Sequence, residues 1–459
     1  MTALWTSAEL RAATGGTLAR EVAVTGISID TRSIVPGDLF VALRDARDGH
    51  DFVAQALGKG AAAALVDRDP PGVDADAPLL RVADTLAGLT ALGAAGRARS
   101  VARVVGVTGS VGKTTTKEML RVALSAFGPT HASAASFNNH WGVPITLARL
   151  PRDAAFAVVE MGMNNRGEIA PLSRLARPHV ALITNIGTAH IGRLGSEDAI
   201  AEEKGDIIAG VAPGGTLVLP ADSRFAATVA QRAHGVGLAV LTHGETPGAD
   251  ARLVGYEGDS EGGRAEIILR GERIGVMLAT PGRHVALNAC AALAAIAALG
   301  LNARTGAAAL PAFGAPAGRG RRSRITVADG EALLIDDSYN ASPPSIRAGL
   351  SVLAAQAAAR RIAALGDMLE LGADGAAIHA SLAPDAAAAC DLVFCCGEMM
   401  GHLYRALPDA RRGAHLPDST ALAPVLRDAL RAGDAVLVKG SLGSRMKVVV
   451  DALTAGERA

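Results

Sequence analysis

Val101-Ala102-Arg103-Val104-Val105-Gly106-Val107-Thr108-Gly109-Ser110-Val111-Gly112-Lys113-Thr114-Thr115-Thr116-Lys117-Glu118 runs from a strand-forming segment through a glycine turn into a helix start. Met119-Leu120 and Ala123-Leu124 continue it with the spacing of one helical face. A strand, a glycine turn and Lys-Thr at a helix start make a phosphate-binding loop. The glycines let the backbone N–H groups between Thr108 and Thr115 approach phosphate oxygens, and the helix N-terminus adds positive potential. Lys113 reaches the outer phosphates, and the Thr114 hydroxyl suits Mg²⁺. Val107 stands where the longer pattern has Gly, so the form is the shorter T-G-x-x-G-K-T. A nucleoside triphosphate is the expected ligand, against the competing reading of a glycine-rich turn with a solvated lysine.

Around this loop the chain reads as three α/β units. Residues 1–98 form a small first unit, with strands over 21–29 and 37–43 separated by Pro36-Gly37, a helix over 52–57 and a strand over 61–66. Residues 99–315 form a central unit around the phosphate loop. Its apolar runs at 155–159 and 179–186 have the character of buried strands in a parallel sheet, and a helix covers 286–299. Gly314-Ala315-Pro316-Ala317-Gly318-Arg319-Gly320 reads as a linker into a third unit, 316–459, whose four short apolar runs alternate with helices as in a Rossmann-like sheet.

Strand ends carry the remaining chemistry. Glu160 closes the run Phe156-Ala157-Val158-Val159 and is placed to hold Mg²⁺ beside the loop. His190 follows another strand; imidazole is not the preferred Mg²⁺ ligand, so the residue types leave it open between metal ligand and structural residue. Ser196 starts a helix on which Ile200, Lys204 and Ile208 share one face. A lysine there ordinarily snorkels or pairs with a buried carboxylate; desolvation also makes a neutral amine available, reactive even towards carbon dioxide. Arg319, Arg321 and Arg322 stand at the linker, where a guanidinium can act on a γ-phosphate from a neighbouring unit or simply solvate a hinge. Asp336-Asp337-Ser338-Tyr339-Asn340, Gly366-Asp367-Met368 and Lys439-Gly440-Ser441 each follow an apolar run, and together they suggest a binding rim.

Composition narrows the classes. Lys+Arg and Asp+Glu balance at 45 each and aromatics are 3%, which argues against nucleic acid as a partner. The first ten residues lack the pattern of a secretory signal, and the Ala-rich run 285–301 is too short and polar for an integral membrane segment. Cys290, Cys390, Cys395 and Cys396 show no metal spacing and read as small core residues of a cytoplasmic protein.

Taken together, the phosphate loop, Ser136-Phe137-Asn138-Asn139-His140-Trp141-Gly142-Val143-Pro144, Glu160-Met161-Gly162, Asn185-Ile186-Gly187-Thr188-Ala189-His190, Asp336-Asp337-Ser338-Tyr339-Asn340-Ala341 and Leu365-Gly366-Asp367-Met368-Leu369-Glu370-Leu371-Gly372 resemble the Mur ligase family over nearly the whole chain. These are ATP-dependent amino-acid ligases of cell-wall synthesis. The resemblance implies UDP-N-acetylmuramoyl-tripeptide and D-alanyl-D-alanine as substrates, ATP, two Mg²⁺ ions and a monomer. It further implies that Lys113 and Thr114 hold phosphates and one Mg²⁺, that Glu160 and His190 hold the other, and that Lys204 is carbamylated. Asn288 matches an adenine contact; Arg319 and Asp337 match residues reaching the γ-phosphate and ribose. Ser28, Thr31, Arg32 and His50 match a uridine-nucleotide site, and Asn138, Asn139, Thr146, Tyr339 and Asn340 are expected to face the peptide substrates. Ser342 replaces the usual Asn after Tyr339-Asn340-Ala341, which argues against a specific role there.

Overall fold

Strand Arg103–Thr108 lies in the interior of a nine-stranded sheet, between Phe156–Glu160 on one side and Val180–Ile183 on the other, both parallel to it. All five residues of Phe156–Glu160 are buried, as a strand covered on both faces requires. This arrangement comes from a computed structural model describing residues 3–74, 76–134 and 136–455. Met1 and Thr2, which open the N-terminal stretch considered above, lie outside the described residues.

Beyond Val180–Ile183 the central sheet continues in parallel through Thr216–Pro220, Ala239–Gly244 and Ala251–Gly258. It ends in an antiparallel meander through Gly263–Leu269 and Glu272–Leu278, which the sequence reading did not anticipate. The turn between those two strands is Arg270-Gly271, both at positive φ (49° and 86°), the backbone a two-residue hairpin needs. Apolar clusters cover both faces of the sheet, one built on the helices Lys113–Ser125 and Arg283–Ala298 and the other on Ile169–Ala176 and Glu197–Gly205.

The first unit carries a five-stranded sheet in the order Thr17–Leu18, Leu79–Arg81, Ala63–Val66, Asp38–Val41, Gly26–Ser28, parallel except at its first pair. Helix Thr85–Arg99 joins this unit to the central one. A Cβ at Gly93 would lie 2.8 Å from the Pro144 carbonyl oxygen, and one at Gly96 would collide with that of Leu147, so the two backbones touch only because both residues are glycine. The Trp5 indole N–H donates to the Ala148 carbonyl at 2.9 Å, and Arg149 Nε donates to the Ile27 carbonyl at 2.6 Å.

In the third unit the sheet order is Arg321–Val327, Gly330–Asp337, Ala435–Lys439, Arg361–Gly366, Leu392–Cys396, Arg412–Leu416, parallel after the first pair. Arg321 and Arg322 therefore belong to an edge strand, a correction to their placement in a hinge. Arg322 donates to the backbone carbonyls of Ser260 and Glu261 on the central meander. The four cysteines are free and buried, and burial pushes the thiols of Cys290, Cys390 and Cys396 up to about 12. No helix among the described residues is long and apolar enough to cross a membrane.

Candidate active site

The phosphate loop leaves its strand through Gly109 and enters the helix Lys113–Ser125 through Gly112, with φ of 146° and 82°. A Cβ at Gly109 would collide with the Thr184 hydroxyl, and one at Gly112 with the Asn288 side chain, so the loop is pressed between two neighbouring segments. The segment after Val180–Ile183 holds it further. Asn185 Oδ1 accepts the Val111 N–H at 2.9 Å, Thr184 Oγ1 donates to the Val111 carbonyl at 2.6 Å, and Ser110 Oγ exchanges hydrogen bonds with Gly187. Lys113 Nζ donates to the Gly109 carbonyl at 2.7 Å, folding back over the loop it serves.

Glu160 leaves the adjacent strand fully buried. Its Oε1 accepts from Thr114 Oγ1 at 3.2 Å and from Asn138 Nδ2 at 2.8 Å, while its Oε2 has no hydrogen-bond partner. A buried carboxylate oxygen without a donor is costly unless a cation completes it. Thr114 and Glu160 therefore offer the oxygen donors that suit Mg²⁺. Among the described residues no group of three or more His, Cys, Asp or Glu side chains is arranged to hold a metal ion, so any fuller ligand set draws on other groups.

Lys204 lies within reach of the charge of Lys113. It is 1% exposed, and its amine makes no hydrogen bond or ion pair among the described residues. Burial, reinforced by the charge of Lys113, drives its proton affinity well below that of an ordinary lysine, and the neighbouring Glu203 only partly opposes this. Glu203 is itself engaged, accepting the N–H groups of Gly167, Glu168 and Ile169 at the start of the helix Ile169–Ala176. His190 belongs to the same cluster. Burial first, then the charge of Lys113, lowers its proton affinity, with a smaller effect from Lys204, while Glu370 works the other way. Lys113 is shifted down by burial, against the pull of Glu160, and feels Arg319 as well.

The third unit closes the cleft. Arg319 Nη2 donates to Ser136 Oγ at 3.1 Å, and its guanidinium lies 4.2 Å from the centre of the Tyr339 ring. At the neighbouring strand end the buried Lys439 donates to Asp337 at 2.6 Å and to the Asn340 carbonyl at 2.9 Å. Burial raises the Asp337 carboxyl above its ordinary value despite Lys439. Thr115, His284, Arg319 and Asp337 line a narrow pocket between the central and third units. Of the expected rim, Asp367 faces inward instead, accepting the N–H groups of Met399 and Met400.

Several expected substrate residues make hydrogen bonds within the protein. Thr146 is 2% exposed and its hydroxyl donates to the Gly142 carbonyl one helical turn back, so it packs the inter-unit helix Gly142–Ala148. Asn138 is turned onto Glu160, and Asn139 Oδ1 accepts the N–H groups of Trp141 and Gly142 at the start of that helix. His50 is wholly buried. Its Nε2 accepts the Asp67 N–H, which leaves Nδ1–H to donate to Asp48 at 2.7 Å, so it braces the first unit. The Ser28 hydroxyl donates to the Asp30 carbonyl, Arg32 pairs with Asp30, and the Thr31 carbonyl accepts from Lys59, which leaves Arg32 the exposed member of that group. Asn340 is exposed at the cleft. Ser342 has extended backbone (φ −147°) at the start of the helix Pro343–Ala354, and its N–H donates to Ser345 Oγ.

Other supporting residues carried no motif. Lys117, fully buried, donates to the Ser133 carbonyl at 2.7 Å, and Ser133 Oγ accepts the Glu160 N–H at 3.1 Å. A lysine on the buried face of the loop helix, with no carboxylate at helical spacing before it, was the available signal.

Three family models match in order along the chain: "Mur ligase family, catalytic domain" over residues 23–95, "Mur ligase middle domain" over 107–296 and "Mur ligase, glutamate ligase domain" over 320–442. A UDP-N-acetylmuramoyl-tripeptide–D-alanyl-D-alanine ligase of Synechocystis sp. is 38% identical, covering 95% of this chain and 94% of that protein. The enzyme of the same name from Escherichia coli is 37% identical, covering 94% of each. A crystal structure of MurF from Acinetobacter baumannii superposes with a TM-score of 0.83 at 32% identity over 98% of both chains. That of MurF ligase from Thermotoga maritima in complex with ADP gives 0.76 at 26% identity, over 95% of this chain and 99% of that one. With matches along all three units and near-complete coverage at this identity, the chain belongs to the Mur ligase family.

Proposed function

We infer that this protein uses ATP to join D-alanyl-D-alanine to UDP-N-acetylmuramoyl-tripeptide in peptidoglycan precursor synthesis, as the names of its relatives indicate. The observation that carries the reading is the shared cleft in which Lys113 faces Glu160, His190 and Lys204, with Thr114 bonded to Glu160 and Arg319 reaching in from the third unit. We propose the first unit (1–98) for the uridine nucleotide, the central unit (99–315) for ATP and the third (316–459) for the incoming dipeptide, in a cytoplasmic monomer.

A carboxylate does not condense with an amine in water without activation. A carboxylate oxygen of the tripeptide attacks the γ-phosphorus, ADP leaves, and an acyl phosphate remains. The dipeptide amine then attacks the acyl carbon, and phosphate departs from the tetrahedral intermediate. Lys113 and Arg319 offset charge on the phosphoryl oxygens, and the docked third unit keeps water from the acyl phosphate. Thr114, Glu160, His190 and a carbamate on Lys204 would hold Mg²⁺, which supplies Lewis-acid charge to the phosphates when bound. The carbamate forms when the neutral Lys204 amine attacks carbon dioxide and the nitrogen gives up one proton to solvent, leaving a carboxylate beside Lys113.

Phosphate release measured with UDP-N-acetylmuramoyl-tripeptide and ATP tests the reading. It should require D-alanyl-D-alanine and fail with single amino acids; release with a single amino acid, or with no muramoyl peptide present, would overturn it.

A further inference from the structure

Glu370 belongs to the third unit, yet everything it holds belongs to the central one. Its Oε2 accepts from His190 Nδ1 at 2.6 Å, its Oε1 pairs with Arg193 Nε at 2.9 Å, and its carbonyl accepts the Gly192 N–H at 3.0 Å. Both Glu370 and His190 have left-handed backbone, with φ of 64° and 68°. That conformation is uncommon outside glycine and persists where surrounding contacts impose it. The approach is close: a Cβ on Gly192 would lie 2.9 Å from the Glu370 carbonyl oxygen and 3.0 Å from the Gly372 nitrogen.

We propose that Glu370 is a positioning residue that makes docking of the third unit and orientation of His190 a single event. A carboxylate can only accept, so His190 Nδ1 carries the proton and Nε2 keeps its lone pair. An imidazole fixed in that way by a carboxylate is ready to ligate through the other nitrogen. When the third unit is away, the carboxylate leaves with it and the ring loses both its tautomer and its orientation. The inference rests on the ligase reading for the role of His190. It explains why Glu370 sits in the Gly366–Gly372 segment, which the nucleotide and peptide roles assigned above leave unused.

Two measurements separate this from a merely structural contact. The first is Mn²⁺ affinity of the full-length protein with a non-hydrolysable ATP analogue and the UDP-linked tripeptide. The second is the compaction those ligands produce, followed by small-angle X-ray scattering. Glu370→Gln and Glu370→Ala should weaken the Mn²⁺ bound in this complex by roughly tenfold and lower kcat, with KM for the UDP-linked substrate unchanged. Ligand-induced compaction should also be reduced. Gly192→Ala, which keeps every polar group but obstructs the approach, should act in the same direction. Wild-type Mn²⁺ affinity and compaction in the Glu370 variants, or in Gly192→Ala, would overturn the proposal. Absence of product from the unaltered enzyme would instead remove the ligase reading, while the Mn²⁺ and scattering comparison would still judge Glu370.

Discussion

Thr114 and Glu160 meet across the phosphate loop, hydroxyl to carboxylate at 3.2 Å, and leave the second carboxylate oxygen buried with no donor. The strand pairing explains why they meet: Glu160 is in register with Val107, one residue before the strand that carries the loop ends. An orphaned oxygen beside a threonine hydroxyl is a place for a hard cation. Glu160→Gln should therefore lower Mg²⁺ affinity by roughly tenfold or more while the nucleotide-sugar substrate still binds. Raising Mg²⁺ in the assay should recover part of the lost rate; an unchanged Mg²⁺ dependence would assign Glu160 to structure alone.

Lys113 folds over its own loop and faces the charges of Glu160 and Arg319. Lys113→Ala should bind the UDP-linked substrate yet form acyl phosphate on the order of 10³-fold more slowly, because a charge aimed at the transferring phosphoryl group is gone. Rapid-quench detection of ADP checks this, and wild-type ATP consumption would refute the role.

The carbamylation proposed for Lys204 should have a signed pH dependence. The amine reacts when neutral, and burial with Lys113 nearby lowers its proton affinity well below the ordinary lysine value of 10.5. The carbamate should therefore accumulate as pH rises through that depressed value and disappear on acidification. Carbon-13 NMR with labelled bicarbonate should show one protein carbamate in the unaltered enzyme and none in Lys204→Ala. Turnover should vanish in the variant and return in part with short carboxylic acids; full activity without them would restore a purely structural lysine.

Buried histidines set the acid limit of the fold. His50 and His243 are 0% and 4% exposed, and burial lowers the proton affinity of both below the ordinary value of 6.5. The unfolded chain therefore takes up protons first as pH falls, so the stability that depends on neutral imidazole is complete above about 6.5 and is lost progressively below it. His243 Nε2 donates to the Ile183 carbonyl, and its other ring nitrogen has no partner. Denaturant midpoints should fall between about pH 7.5 and pH 5. His243→Gln should be less stable at the higher pH and lose less on acidification; an equal loss would assign the acid sensitivity elsewhere.

Chemistry at strand ends was legible because a parallel sheet delivers its carboxyl ends to one rim. Lys113, Thr114, Glu160 and His190 come together in the cleft on that logic, and Lys204 joins them from the buried side of the helix Glu197–Gly205. Side-chain direction within a motif was not legible. Thr146 is turned into the helix Gly142–Ala148, whereas Asn138 and Asn139 stand just before it, one donating to Glu160 and the other, exposed, accepting at the helix start. His50 was drawn inward by Asp48 and Asp67, and no local pattern distinguishes a bracing imidazole from a binding one. The meander at 263–278 was hidden because its alternation is short and its turn rests on an arginine at positive φ. Glu370 finds its partner 180 residues away, beyond the reach of any spacing rule.

Backbone contact at Gly93 and Gly96 seats the helix Thr85–Arg99 directly on the helix Gly142–Ala148. The joint expected from the sequence is the glycine-rich run 314–320 that precedes the third sheet. A donor–acceptor dye pair spanning that joint would report each catalytic cycle, whereas a pair placed across the helix Thr85–Arg99 would keep constant separation throughout.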